Sequence, residues 1–387
     1  MADDRALRPS DVVGVSRLAV DAMFGLTDVV EAMHGTIMRR PLPFGAVRDT
    51  RTRGITGLVY RSIRAVTGLV GGGFDTARSL LATGGEATSS PRRDAMLAIV
   101  NGVIGDHLAA TDNPLAIRMQ LHRADDTVPP TGRLVVFVHG LCMNHLQWRR
   151  DGHDHGDALA AAGWTPLYLH YNTGRHVSIN GRELAARLEA LVAEWPVPVT
   201  ELVLVAHSLG GLVSRSACHY ARFLDLRWPA RLARIVFLGT PHHGAPLERS
   251  GNLLQVLLEL SPYAAPIGRM GGLRSAGITD LRFGNVVDED WAGQHPRHRA
   301  DPRMPVPLPE GVACFAIAGT RGRRTGDLPD RLLGDGLVPV ASALGHHPDP
   351  RFALAFPAEH QRVIYERGHM DLLDAPEVSD QLVAWLG

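Results

Sequence analysis

Cysteine is scarce: 387 residues hold three, Cys142, Cys218 and Cys314, far apart and each inside an apolar run. An odd number at such spacing supplies neither a disulfide framework nor a metal-ligand pattern, so three buried free thiols in a reducing compartment are expected. Net charge is lacking too. Lys plus Arg and Asp plus Glu both number 40, which removes the electrostatic case for a nucleic-acid partner. No run of about 18 apolar residues occurs, so no membrane-spanning helix is expected. The first residues, MADDRALRPSD, carry acids and no apolar core of signal-peptide length; from these absences the expectation is a cytoplasmic location. What is there, 45% hydrophobic and 21% charged residues, suits a soluble chain that folds around a large core. Its length allows one large α/β domain plus a substantial extension.

Two hydrophobic periods divide the chain. Up to about residue 125 the spacing is helical: Val12, Val15, Leu18, Ala19, Ala22, Met23, Leu26, Val29, Val30 and Met33 fall on one face, and 55–81 and 93–108 repeat the pattern. Residues 1–125 are therefore expected to form a helical N-terminal extension. Its apolar faces must cover the rest of the fold, a second subunit, or a lipid or polymer interface reached peripherally. From Arg133 apolar strands alternate with helices: 133–139, 165–171, 202–206, 233–238, 313–318 and 361–365 read as strands. Continuous apolar strands separated by helical segments predict an α/β fold with a mostly parallel sheet covered on both faces. Ligand sites in such sheets lie at the carboxyl ends of the strands.

The strongest local signal is Leu202–Leu212, LVLVAHSLGGL. A buried strand runs into Ser208 and straight out into a helix, and small residues two positions before and after, Ala206 and Gly210, are what a strained strand-to-helix elbow requires. The serine hydroxyl is then held out above the sheet edge, with the N–H of Leu209 facing the same space. His139-Gly140-Leu141 ends the first strong strand, and a glycine bend there lets the Leu141 N–H face the serine, completing a two-donor oxyanion site. His139 itself is read as bonding to its own loop.

An acid and a base must follow, since the chain order for this chemistry is Ser, then Asp or Glu, then His. Asp335, between Gly334 and Gly336, follows a strand and is presented from a tight turn; Asp327 and Asp330 are rivals in a charged loop. His369, freed by Gly368, follows the last strand, while His360, His346 and His347 are less well placed. Ser208, His369 and Asp335 thus read as nucleophile, base and orienting acid of an acyl-enzyme mechanism.

With FVHGL at 137–141, AHSLGG at 206–211, GTPHHG at 239–244, GDGLVP at 334–339 and GHMD at 368–371, residues from about 130 onward resemble the α/β-hydrolase superfamily. Within it they are similar to the bacterial lipase and esterase branch that includes inositol-deacylase-like lipases. The resemblance implies an α/β-hydrolase fold over residues 126–387, the triad Ser208, Asp335 and His369, and oxyanion donors at Leu141 and Leu209. It implies a site-shaping role for GTPHHG, in which His242 and His243 are structural. Residues 245–311 then read as a cap or lid-like insertion, where Leu253, Leu254, Leu257 and Leu258 share a helical face suited to binding an acyl chain, plain core packing being the alternative.

No cofactor is expected. Some related lipases hold calcium near the catalytic histidine, but Asp371 and Asp374 read as helix-start acids, and His153, Asp154, His155 and Asp157 lack fixed ligand spacing, so no metal is assigned. The sequence thus points to a serine lipase or esterase for hydrophobic acyl esters. The same triad serves acyl transfer to an alcohol, or intracellular depolymerisation of a polyester. A non-catalytic scaffold on the same fold is the remaining class, and the intact triad argues against it.

Overall fold

The computed structural model describes residues 10–11, 13–21, 91–123, 125, 127–150, 152–245, 275–292, 301–324 and 334–387. Two compact units divide the chain, residues 1–90 with 111–115, and residues 91–110 with 116–387. In the first, residues 13–21 are helical. Gly14 lies against Leu115 where no Cβ would fit, and Asn113 Nδ2 donates to its carbonyl at 3.1 Å. Asp11, Val13 and Gly14 are buried here and Val15 is exposed, so Val15 does not lie on the covered face where the apolar spacing put it.

The second unit is organised by a seven-stranded sheet. Its strands are β1 (Gln120–Arg123), β2 (Arg133–Val138), β3 (Thr165–His170), β4 (Glu201–His207), β5 (Leu232–Leu238), β6 (Ala313–Thr320) and β7 (Gln361–Tyr365), in the order β1-β3-β2-β4-β5-β6-β7. Every neighbouring pair is parallel except β1 with β3. The helices flanking it are α1 (Pro91–Ala110), α2 (His155–Ala161), α3 (Val177–Glu194), α4 (Leu209–Phe223), α5 (Ala276–Phe283), α6 (Glu289–Ala292), α7 (Val340–Ala343) and α8 (Pro376–Leu386). None of the described helices is long and apolar enough to cross a membrane.

The apolar strands are continuous because both faces are covered. On β2, Leu134, Val136 and Val138 join a core layer with Leu184 and Leu188 of α3 and Leu212 and Val213 of α4. Val135 and Phe137, pointing the other way, pack with Leu159 of α2 and Val378, Leu382 and Leu386 of α8. Leu202 to Ala206 of β4, at the centre, are wholly buried; each large side chain so buried contributes about 1.5–3 kcal/mol before conformational costs. The six strands read from the sequence are all present. β1 was not read as a strand, and it falls before residue 126, inside the stretch assigned to the helical extension. It is a four-residue, half-exposed edge with one aliphatic residue, Leu121, and so carries no run or alternation to detect.

The three cysteines are free and buried. Burial pushes the thiols of Cys142 and Cys314 up to about 12 and raises that of Cys218 as well.

Candidate active site

Ser208 sits between β4 and α4 with φ 55° and ψ −124°, a left-handed region costly for a residue with a Cβ, on the order of 1–3 kcal/mol. Its neighbours over-determine that conformation. The Ser208 N–H donates to the Leu238 carbonyl of β5 at 2.9 Å, and Gly211 N–H donates back to the Ser208 carbonyl at 3.0 Å. A Cβ on Gly210 would strike the carbonyls of Val138 and His139, and one on Gly211 would strike Thr240. The helix can therefore start this close to β2 and β5 only because both positions are glycine.

The HGL turn lies directly against the elbow: a Cβ on Gly140 would stand 3.0 Å from the Cβ of Ser208. Among the described residues, neither the Leu141 nor the Leu209 N–H donates a hydrogen bond. His139 bonds within its own loop, Nδ1 to the Gly140 carbonyl at 3.0 Å, and stacks on Tyr171 with ring centroids 4.5 Å apart; burial lowers its pKa to about 3.

Asp335, after β6, and His369, after β7, come together. His369 Nδ1–H donates to Asp335 Oδ2 at 2.6 Å, and the two side chains are 3% and 1% exposed. The carboxylate is fixed by its turn, Oδ1 accepting from the N–H of Leu337 at 3.0 Å and of Val338 at 2.7 Å. Gly334 and Gly336 have φ of 54° and 99°, so the glycines that flagged this aspartate are the ones its turn needs. The backbone repeats the link, His369 N–H donating to the Asp335 carbonyl at 3.0 Å. With Nδ1 carrying the proton, Nε2 presents its lone pair. Gly239, directly after β5 at φ 55°, packs beneath the pair; a Cβ there would lie 3.2 Å from both Asp335 Oδ2 and His369 Cε1.

The competing groups have other partners. His360 bonds to the Cys314 carbonyl and His347 to Asp349. His242 lies buried between Phe237 and the Arg215 guanidinium, and burial holds it well below the ordinary histidine pKa. The His243 N–H donates to Ser342 Oγ at 3.1 Å. Asp371 accepts from the Gly368 N–H at 2.7 Å, and Asp374 pairs with Arg150 at 3.4 Å. Asp154 caps α2 and accepts from Tyr168. His155 Nε2–H donates to the Leu372 carbonyl at 3.0 Å and Nδ1 accepts from Ser379 Oγ at 2.5 Å, so the elements on either side of it are tied to the His369 turn. Asp327, Asp330, Leu253, Leu254, Leu257 and Leu258 lie outside the described residues.

Sequence reasoning missed two groups. His207, beside the nucleophile, stands with its ring 4.6 Å from that of His369; the motif contains it, but only the fold shows what it touches. Arg215 on α4 is buried, its Nη2–H donating to the Val306 carbonyl, and burial lowers its pKa to about 10. No local pattern marks an arginine inside an apolar helix face.

Residues 129–295 match the family model described as PGAP1-like alpha/beta domain. No curated protein matches the chain by sequence. Among solved structures, the chain is similar to the mature form of the Bacillus licheniformis lipase BlEst2, at 20% identity over 69% of this chain and 98% of that one, with a TM-score of 0.46. It is also similar to the metagenomic carboxyl esterase MGS0156, at 17% identity over 67% and 76% with a TM-score of 0.38. A third is the NocB thioesterase domain in a covalent fluorophosphonate complex, at 16% over 69% and 100% with a TM-score of 0.39.

Proposed function

With an α/β-hydrolase domain whose residues 129–295 match the PGAP1-like family, we propose that the protein is a serine carboxylic-ester hydrolase, a lipase or esterase. The observation that carries this reading is the buried His369–Asp335 pair, 2.6 Å apart, at the same sheet end as a serine held in a left-handed elbow. A structural serine needs no such backbone, and a buried aspartate bound to a histidine is the arrangement that readies an imidazole to accept a proton.

In this mechanism Ser208 Oγ attacks the acyl carbon while His369 Nε2 takes the hydroxyl proton. Asp335 keeps the imidazole oriented and stabilises its cation. The negative charge that develops on the carbonyl oxygen meets the N–H groups of Leu141 and Leu209. Losing one such donor typically costs about 100- to 1,000-fold. Collapse expels the alcohol, which takes the proton from His369, and water then repeats the sequence on the acyl-enzyme to release the acid. A hydrophobic acyl group is the favoured substrate, a preference that rests on the sequence spacing of Leu253, Leu254, Leu257 and Leu258 alone.

Hydrolysis of p-nitrophenyl esters from acetyl to palmitoyl, by the wild type and by Ser208→Ala, tests the reading. Turnover that rises with chain length and falls by at least about 1,000-fold in the variant supports it. Absence of Ser208-dependent turnover on every ester, together with no labelling by a fluorophosphonate, overturns it.

A further inference from the structure

We infer that α1, which precedes the residues matching the family model, is a working part of the active site: through Gly102 it braces the turn that aims the Leu141 N–H. The inference rests on the reading of Leu141 as an oxyanion donor.

Cys142 follows Leu141 directly and has φ 59°. A residue with a Cβ stays in the left-handed region only where its surroundings hold it. Two contacts do so here. The Cys142 N–H donates to Thr173 Oγ1 at 3.1 Å, a bond from the loop after β3. On the other side, α1 bears on the same residue: a Cβ on Gly102 would overlap Cys142 Sγ and come within 2.9 Å of its Cα and 3.0 Å of its amide nitrogen. Cys142 is thus clamped between a hydroxyl and a helix backbone; the peptide so fixed carries the Leu141 carbonyl and the Cys142 N–H, and it anchors the turn one peptide after the one that carries the Leu141 N–H.

The rest of α1 is shaped for this approach. Its helical geometry breaks at Ile104, φ −136° and ψ 21°, between Gly102 and Gly105. Gly105 presses on Asn172 as Gly102 does on Cys142, and Gly174 packs against the Asn101 carbonyl. Asn172 Nδ2 donates to the Gly105 carbonyl at 2.8 Å, tying the Thr173 loop to the same helix. From the third side Ser275 Oγ donates to the Gly102 carbonyl at 2.6 Å, and Asp106 accepts from the Ala276 N–H at 2.9 Å. The helix therefore connects both loops around the serine elbow with the start of α5. Gly102 and Cys142 act here as positioning residues, since neither touches the reacting atoms.

A size-swap cycle tests this. Gly102→Ala pushes a methyl group into Cys142; Cys142→Ala removes the sulfur that α1 bears on; the double variant puts the methyl where the sulfur was. On p-nitrophenyl butyrate we expect kcat to fall by about 100-fold in Gly102→Ala, the size of one misplaced oxyanion donor, and by about tenfold in Cys142→Ala. KM should change little in either. The double variant, whose methyl group meets no sulfur but still stands 2.9 Å from the Cys142 Cα, should recover at least about tenfold over Gly102→Ala. Met96→Ala, on the exposed side of α1, should keep wild-type kcat. Folding is checked by circular dichroism and thermal melting; should Gly102→Ala not fold, Cys142→Ala against the double variant decides. Folded variants that all keep wild-type kcat, or losses that multiply in the double variant, overturn the inference. Ser208→Ala separates the premises: if the wild type has no Ser208-dependent turnover, the hydrolase reading falls, whereas Ser208-dependent turnover indifferent to the swap removes only the brace.

Discussion

His207 Nε2–H donates to the main-chain carbonyl of His369 across 3.1 Å. The residue next to the nucleophile thereby holds the backbone of the base, whose N–H and ring nitrogen are both held by Asp335. Burial, and then the neighbouring His369, keep His207 well below the ordinary histidine pKa, so it is neutral and its one proton is committed to this bond. Among the described residues its buried Nδ1 has no hydrogen-bond partner.

Removing that donor should be felt in the chemistry. A buried carbonyl deprived of its partner costs about 1–3 kcal/mol, and part of that appears as play in the base. His207→Leu is expected to lower kcat by about tenfold with KM unchanged. His207→Gln, whose amide can still donate, should stay within about threefold. Steady-state kinetics with melting curves check this; equal losses in both variants would make His207 a packing residue only.

Asp335→Asn preserves shape but offers an N–H where His369 Nδ1–H needs an acceptor, so the imidazole takes the wrong tautomer or turns away. The expected loss in kcat is about 1,000- to 10,000-fold with little change in KM. A variant that retains more than a tenth of the wild-type kcat would remove Asp335 from the mechanism.

How much of this could be read beforehand follows from what each feature depends on. β2 and β4 announce themselves because both faces are buried, leaving unbroken runs such as Leu202–Val205. The Asp335 turn could be singled out because its backbone demands glycine at 334 and 336, and glycine is visible in a sequence; Gly368, read as freeing His369, has no positive φ, and an added Cβ there would meet nothing closer than 3.3 Å. β1 left no trace because an exposed edge needs no apolar pattern. The His207–His369 bond and the Gly102–Cys142 contact were out of reach for another reason: each joins segments far apart in sequence, and no local spacing encodes how close they come.

Acid should destabilise the protein through His155. Its pKa is lowered to about 4, chiefly by burial, against an ordinary value near 6.5. Between those limits the unfolded chain binds a proton that the folded one refuses, so stability is full above about pH 6.5 and is lost as pH falls toward 4. One such group accounts for about 2 kcal/mol between pH 7 and pH 5. Urea unfolding at the two pH values should show a difference smaller by roughly that amount in His155→Gln; an unchanged difference would mean that His155 does not carry it.

Gly239 supports the last prediction. It follows β5 at φ 55° with Asp335 Oδ2, His369 Cε1 and Leu372 all about 3.0–3.2 Å from where a Cβ would stand, so an added methyl group meets both a disfavoured backbone and the acid–base pair. Backbone strain there costs on the order of 1–3 kcal/mol, and the pair can yield only by lengthening the bond that orients the imidazole. Gly239→Ala should therefore lower both the melting temperature and kcat, the latter by at least about tenfold. Gly152→Ala sets the comparison, since Gly152 also has positive φ, 80°, but nothing stands within 4 Å of its added methyl group. It should lose some stability and keep its kcat, and if the two variants lose kcat alike, crowding of the Asp335–His369 pair is not what Gly239 prevents.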